Sequence, residues 1–204
     1  MSVLQLRKNL RKNILRGDPW IYSQALTEGD NSFDSAGLCK LLDHRGDFLA
    51  WIMHSPRSVL AGRVLSLQKH PPDWSLWQRR LRQAYDLRQT WLCKSTSNCY
   101  RLVNGEGDEL PGLICDVYNE VAVIQFDGLD CYEFWDQQKI AQWLLDYTGC
   151  KTVYFKPRHD MSLSAEQWGK EANLQQIEVV ENGAKFFVDV VNGQKTGFFL
   201  DQRD

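Results

Sequence analysis

Residues 38–67, LCKLLDHRGDFLAWIMHSPRSVLAGRVLSL, contain the pattern that decides the fold of the first part of this chain. Three short apolar segments lie at 38–43, 48–54 and 59–67, and the polar turn 44–47 separates the first two. Short strands at this spacing, joined by polar turns, are typical of small β-barrels. The stretch therefore predicts a small N-terminal barrel in a strand-rich chain.

A basic segment precedes this barrel region. Residues 4–6 have the composition of a short strand, and the basic residues that follow are Arg7, Lys8, Arg11, Lys12 and Arg16. Their recurrence near every fourth position predicts a helix of two to three turns with most of its charge on one face. The sequence Gly-Asp-Pro at 17–19 should end this helix. Such a basic face fits the phosphate groups of a nucleic acid.

A second, α+β unit is predicted from residue 71 onward. The Pro-rich segment 70–73 indicates a linker before an amphipathic helix at 74–92. Its inward side chains are predicted to be Trp77, Leu81, Ala84, Tyr85 and Trp91, and its largely outward ones Arg79, Arg80, Arg82 and Arg88. Further strands are predicted at 100–103, 113–118, 121–126, 151–156, 177–181 and 185–190, with one helix at 131–147. Residues 157–174 are not assigned.

Composition and charge limit the classes of protein to be considered. The chain is 43% hydrophobic and 12% aromatic, which argues against disorder, and no apolar run reaches the roughly 18 residues of a membrane span. We therefore expect a cytoplasmic protein without membrane contacts. Residues 1–100 hold 15 Lys and Arg against 8 Asp and Glu, whereas residues 101–204 hold 9 against 18. The basic first half indicates either a polyanionic partner or an ordinary solvated surface, and charge alone does not separate the two.

The sequence contains no recognisable motif of an enzyme that would be catalytic by itself. The six cysteines and four histidines lack metal-ligand spacing, so no metal site is predicted. The acidic loop 105–112, GEGDELPG, begins like a nucleotide-binding turn, but it lacks the third glycine and a following helix. Its carboxylates at Glu106, Asp108 and Glu109 could in principle form an acid/base or magnesium site. We interpret them as structural and rank an independent enzyme built on this loop last.

Three motifs give the chain a family resemblance. LRGDPWIYS at 15–23, YRLVNGEGDELPGL at 100–113 and GQKTGFFLDQRD at 193–204 together resemble the ribosomal RNA large-subunit methyltransferase I family. Members of that family have an N-terminal PUA domain, which is a small RNA-binding barrel, then a central EEHEE domain. A Rossmann-like domain follows, which uses S-adenosyl-L-methionine to make 5-methylcytosine in 23S ribosomal RNA.

The resemblance implies a division of this chain and a set of site residues. It implies a PUA-like domain at 1–70, an EEHEE-type domain with its leading helix at 71–192, and at 193–204 the first residues leading into the methyltransferase domain. The expected fold class is thus α+β and strand-rich, with the Rossmann-like methyltransferase domain absent. Candidate RNA-binding residues are Arg7, Lys8, Arg11, Lys12, Arg16, Trp20 and Arg63. Candidates lying beside the cofactor in the family are Lys195, Thr196, Gly197, Phe198, Gln202 and Arg203.

The resemblance also predicts what this chain does. We expect the RNA-binding N-terminal portion of a truncated ribosomal RNA methyltransferase, with 23S ribosomal RNA as its partner. No catalytic residue is assigned, and no S-adenosyl-L-methionine is expected to bind to this chain alone. The alternative is a protein-interaction or regulatory module that retains the PUA and EEHEE fold. A dimer remains open, and the apolar tail at 198–200 is expected to lack a packing partner and to be mobile or adhesive.

Overall fold

A curved five-stranded sheet forms the first part of the molecule. The computed structural model describes residues 2–27, 35–92, 96–158 and 162–200. The elements of this part are β1 (Ser2–Gln5), α1 (Arg11–Leu15), β2 (Trp20–Ile21), β3 (Gly37–Leu42), β4 (Phe48–His54) and β5 (Gly62–Ser66). The strand order is β1-β3-β4-β5-β2, with β1 parallel to β3 and the other pairs antiparallel. A bridge between Leu6 and Leu26 connects the chain after β1 to the chain after β2, which joins the two edges of the sheet.

Helix α1 is shorter than the sequence pattern predicts. The backbone amide of Leu6 donates to Leu42, and that of Arg7 donates to Ala25, so both residues extend the strand pairing of β1. A residue held in a sheet ladder cannot also take the helical conformation. Only residues 11–15 therefore form the helix, and Ile14 is its one buried residue.

A second mixed sheet forms the central part of the molecule. Its elements are α2 (Trp74–Trp91), β6 (Cys99–Asn104), β7 (Leu113–Tyr118), β8 (Val121–Phe126), α3 (Leu129–Phe134), α4 (Gln137–Tyr147), β9 (Thr152–Phe155) and β10 (Glu166–Gly169). The strand order is β10-β9-β8-β7-β6, and only β8 and β9 are parallel. The two helices α3 and α4 make the crossover between these parallel strands, as such a connection requires. Strand β10 lies in the segment that the sequence left unassigned.

The helix predicted at 131–147 is two helices. Trp135 takes an extended conformation after α3, with ψ of 131°, and its indole donates to the carbonyl oxygen of Pro111 at 3.1 Å. Asp136 then caps α4, since its carboxylate accepts from the backbone amide of Lys139 at 3.1 Å. A buried tertiary hydrogen bond and a new N-cap thus interrupt a sequence whose apolar period is continuous.

The orientation of α2 is predicted correctly at its centre and wrongly at its end. Trp77, Leu81 and Ala84 are buried, as predicted. Trp91, predicted inward, is 80% exposed. The side chains of Arg80 and Arg88, predicted outward, are only 10% and 17% exposed because carboxylates of the 105–112 loop bind them.

A two-stranded hairpin completes the described fold. Strands β11 (Ile177–Glu181) and β12 (Ala184–Val188) are antiparallel, and Asn182 and Gly183 between them have φ of 49° and 82°. The two strands predicted at 177–181 and 185–190 are therefore joined by an Asn-Gly turn, whose positive φ angles are typical of a tight hairpin. The hairpin packs on the second sheet through a buried cluster that includes Tyr118 and Val179. Among the described residues, no helix combines the length and apolar character needed to cross a bilayer.

Candidate nucleic-acid interface and C-terminal segment

Four basic side chains of the N-terminal segment lie on the protein surface. Arg7, Lys8, Lys12 and Arg16 are all exposed, and none of the ion pairs among the described residues involves them. The backbone beneath them is held by Ile14, which is buried in the core of the first sheet. The segment therefore presents uncompensated positive charge on a fixed support.

Arg11 differs from its four basic neighbours. Its guanidinium contacts the carboxylate of Asp43 at 2.9 Å, and that carboxylate also accepts from the backbone amides of Arg45 and Asp47. Burial of Asp43 opposes its ionisation, but the hydrogen bonds from the two amides and from Arg11 outweigh burial and lower its pKa. Arg11 is 43% exposed, so it attaches α1 to the β3–β4 turn and still reaches solvent.

Two aromatic side chains border the basic segment. Trp20 and Tyr22 are each 44% exposed, whereas Ile21 between them is fully buried. Since side chains alternate along an extended strand, Trp20 and Tyr22 share its outer face. The indole nitrogen of Trp20 donates to Glu106 at 3.1 Å, which fixes the ring while leaving part of it in solvent.

Arg63 lies between the two sheets and not on the exposed basic surface. Its side chain is 6% exposed and contacts Glu106 at 2.7 Å and Asp127 at 2.8 Å. Both guanidinium branches therefore already bind carboxylates from loops of the second sheet, Glu106 after β6 and Asp127 after β8. The structure does not bring Arg63 together with the four exposed basic residues, although the sequence grouped them.

The acidic loop binds arginines from both parts of the molecule. Besides the contact of Glu106 with Arg63, Asp108 forms a two-bond ion pair with Arg88, and Glu109 contacts Arg80 at 2.8 Å. The structural interpretation of this loop agrees with these contacts, since all three carboxylates are occupied. The sequence did carry a signal of this network, namely three carboxylates in one loop and several arginines on the preceding helix, but not its pairing.

A cleft of about 670 Å³ lies between the first sheet and α2, beside the basic segment. Gly17, Asp18 and Pro19 line one wall, Ser66 lies on β5, and Arg79 lies on the helix. No local sequence pattern indicates this cleft. It forms only because the segment that ends α1 faces a helix more than 50 residues further along the chain.

The described part of the C-terminal segment is anchored on the second sheet. Thr196 is 1% exposed, and its hydroxyl donates to Asp116 at 2.6 Å and lies 2.8 Å from the hydroxyl of Tyr118. Arg101 binds the same Asp116 through two bonds of 2.8 and 3.0 Å. Phe198 packs against Phe186 with ring centroids 5.4 Å apart. The tail predicted to lack a packing partner therefore has one.

The candidates for cofactor proximity differ in their accessibility. The hydroxyl of Thr196 is hydrogen-bonded inside the protein, whereas Phe198 is half-buried against Phe186. Lys195 is exposed and lies over the ring of Phe199, with its ammonium 4.5 Å from the centroid. Gln202 and Arg203 lie outside the described residues.

The described cysteines are packing residues. Cys39, Cys99, Cys115, Cys131 and Cys150 are all buried. Burial raises the pKa of Cys131 to about 12 and raises that of Cys115 well above its usual value. Since the thiolate is the nucleophilic form, neither thiol is activated. Within the described ranges no group of three or more metal-binding side chains occurs, and Cys93 lies outside them.

Comparisons with known proteins agree with the sequence motifs. A PUA-like domain model matches residues 4–67. A ribosomal RNA large subunit methyltransferase I from Salmonella arizonae is 32% identical over 208 residues, covering 98% of this chain and 51% of the relative. The protein of the same name from Citrobacter koseri is 32% identical over 212 residues, covering 100% and 53%. The chain is thus similar over its whole length to proteins named ribosomal RNA large subunit methyltransferase I. It spans about half the length of the curated relatives it matches.

Solved structures correct the expected fold class. The whole chain matches 52% of a chain described as a candidate SAM-dependent methyltransferase from Streptococcus mutans, at 22% identity and a TM-score of 0.82. A candidate methyltransferase complexed with SAH matches equally, at 24% identity and a TM-score of 0.82. A methyltransferase fold is thus present, and the expectation that it is absent was wrong. The two mixed sheets of this chain align with part of each matched chain.

Proposed function

We propose that this chain is the RNA-binding portion of an S-adenosyl-L-methionine-dependent ribosomal RNA methyltransferase and that 23S ribosomal RNA is its partner. One observation carries the proposal: Arg7, Lys8, Lys12 and Arg16 are exposed beside two exposed aromatic rings, with no ion pair to them among the described residues. Phosphate groups bind such cations through counterion release, and single-stranded bases stack on aromatic rings.

The support beneath these side chains favours binding over a merely solvated surface. Arg11 ties the segment to Asp43, and Ile14 buries its inner side in the core. A surface that is already ordered loses little conformational freedom when it binds a ligand. Trp20 is likewise fixed by Glu106, so its exposed ring offers a rigid face.

The proposal is tested by the salt dependence of RNA affinity. The variant with Arg7, Lys8, Lys12 and Arg16 all changed to Gln should bind a 23S ribosomal RNA fragment more weakly in fluorescence anisotropy. For single-stranded contacts, the slope of log affinity against log salt concentration should become shallower by up to roughly 3, at about 0.7 for each lost phosphate contact. Arg11 is retained because its removal would leave the buried Asp43 without its partner.

A matched control carries the same change of charge. Lys139, Lys151, Lys170 and Lys185 are exposed on the second part of the molecule, and changing all four to Gln should leave the slope close to that of the original protein. Equal loss of affinity in both variants would show that only net charge matters. An unchanged slope in the first variant would refute the proposed interface.

We further propose the domain division inferred from the family. Residues 1–70 would form the RNA-binding unit, 71–192 the central unit with its leading helix, and 193–204 the segment leading toward the catalytic half of longer members. The anchoring of Thr196 by Asp116 supports a fixed position for that last segment. Expression of residues 1–70 alone should give a folded, RNA-binding fragment, and an unfolded fragment would contradict this boundary.

We also infer that this chain alone does not methylate cytosine. Attack on C6 of cytosine requires a thiolate, and the raised pKa values of Cys115 and Cys131 oppose its formation. Incubation with 23S ribosomal RNA and labelled S-adenosyl-L-methionine should leave the RNA unlabelled, as in a reaction without protein. Label incorporated above that background, and lost in a Cys93→Ser variant, would assign catalysis to the cysteine outside the described residues.

A further inference from the structure

An apolar groove lies at the C-terminal end of α2, away from the basic segment. The apolar side chains that line it are Leu87, Trp91, Leu92, Tyr100 and Leu200, and we call it the α2-end groove. Its volume is about 450 Å³. Trp91 is 80% exposed and Leu87 is 51% exposed, although both belong to a helix whose central apolar residues are buried. An adjacent pair of large exposed apolar side chains of this kind marks an interaction surface.

The charges at the rim of the groove argue against RNA as its occupant. Arg88 and Arg101 lie there, but Asp108 binds the first and the fully buried Asp116 binds the second. Their charge is therefore compensated within the protein. A groove with a compensated rim and an apolar floor fits a folded protein surface, in which an aromatic anchor enters a complementary pocket.

Leu200 indicates which protein surface that is. It lines the groove together with Trp91 and also packs on the cluster that holds the C-terminal segment, so the last described residue lies beside Trp91. The curated relatives are about twice as long as this chain, and so are the matched structures. The remainder of such a protein must pack somewhere against the part that corresponds to this chain.

We infer that the α2-end groove is the docking surface for the other half of the longer family members, with Trp91 as the aromatic anchor. The inference takes the identity of the partner from the proposed function. It does not depend on whether this chain binds RNA. Leu87 and Trp91 are one helical turn apart, so both face the same partner surface. The anchored Thr196 holds Leu200 at the edge of the groove and thereby sets where that partner begins.

The test mixes this chain with the separately produced remainder of the Salmonella arizonae relative, first shown by calorimetry to bind S-adenosyl-L-methionine. Biolayer interferometry should detect saturable binding, which Trp91→Asp and Leu87→Asp should each weaken at least tenfold. Val59→Asp is the matched control, because Val59 is 75% exposed on the first part of the molecule. Hydrogen exchange should show new protection across 84–104. Thermal unfolding would confirm that the variants fold, since both substituted side chains are largely in solvent.

Several results would overturn the inference. The first is that the remainder binds S-adenosyl-L-methionine but does not bind this chain. The second is that the Trp91→Asp variant binds the remainder as tightly as the unmodified chain does. A concentration-dependent dimer of this chain that Trp91→Asp abolishes, without binding of the remainder, would assign the groove to a second copy. RNA affinity, measured on the same variants, should be unchanged; if Trp91→Asp instead weakens RNA binding tenfold, the groove belongs to RNA. Failure of the unmodified protein to bind RNA would refute the proposed function while leaving the docking result intact.

Discussion

Asp116 is the residue on which the C-terminal segment depends. It is fully buried, and Arg101 and the hydroxyl of Thr196 both bind its carboxylate. Burial of a carboxylate is costly unless its hydrogen bonds are made, and here protein groups make them. The 80 residues that separate Asp116 from Thr196 in sequence hide this contact from any local pattern.

We predict that Asp116→Ala lowers the free energy of unfolding by about 3 kcal/mol, measured by urea denaturation. This value is at the low end of the stability cost of breaking a buried ion pair, because Arg101 is 38% exposed and water can solvate it once Asp116 is removed. Glu120→Ala, which removes an exposed pair with Lys151, should cost less than about 1 kcal/mol. Hydrogen exchange across 193–200 should accelerate in the first variant only. Equal costs for the two variants would contradict this role of Asp116.

At the scale of single elements, α2 is the helix best specified by its own sequence. It spans 18 residues, and the Asp73 carboxylate caps it by accepting from the backbone amides of Ser75 at 3.0 Å and Leu76 at 3.3 Å. Hydrogen bonds from the Ser75 hydroxyl and from these amides lower the pKa of Asp73 below its usual value of 3.8. The cap is an ordinary N-terminal signal that lies directly before a helical apolar period.

We predict that Asp73→Ala lowers Tm by a few degrees at pH 7, because two backbone amides lose their acceptor. A carboxylate with a depressed pKa in the folded state contributes its stability above the unfolded-state pKa and loses it as pH falls through the folded-state value. The difference in Tm between variant and original should therefore shrink below about pH 3.8. Asp86→Ala, which removes an exposed pair with Arg82 within the same helix, should change Tm little. A constant difference down to acidic pH would exclude the cap as its cause.

At the scale of the whole molecule, arginines of the first sheet hold the second part in place. Arg63 contacts Glu106 and Asp127, and Arg57 contacts Asp130 at 2.6 Å and Glu133 at 2.5 Å. The positive first half and the negative second half of the sequence thus partly compensate one another across this interface. From the sequence, the charge asymmetry indicated either a polyanionic partner or an ordinary solvated surface. The structure adds a third explanation, which is that these charges form ion pairs inside the protein.

We predict that Arg63→Ala costs about 2 to 3 kcal/mol of unfolding free energy, because two charge-assisted hydrogen bonds disappear and Glu106 loses its cation. Arg158→Ala is the matched control, since Arg158 contacts the same Asp127 but is 44% exposed, and it should cost less than about 1 kcal/mol. Because Arg63 is buried, its removal should leave the salt slope of RNA binding unchanged. A slope that becomes shallower would place Arg63 among the phosphate contacts.

Much of the element order could be predicted, and the exceptions share a cause. Strands β3, β4 and β5 of the first sheet, strands β7 and β8 of the second, and the centre of α2 follow from apolar periods and turn residues. The length of α1, the break at Trp135 and the inward rotation of Arg80 do not, because each is set by a partner distant in sequence. For the candidate interface, the sequence located the basic segment but could not separate exposed Lys12 from buried Arg63.

The sequence by itself determined the family resemblance, most of the strand-rich element order and the basic N-terminal segment, because motifs, apolar periods and charge are local properties of the chain. Only the tertiary structure decided which cations remain on the surface, that Trp91 stands in solvent, and that Thr196 is fixed by Asp116. Each of these depends on whether a partner 20 or more residues away lies within hydrogen-bonding or packing distance, as Glu106 does for Arg63 and Asp108 does for Arg88. Folding brings those partners together, and no local pattern encodes their pairing.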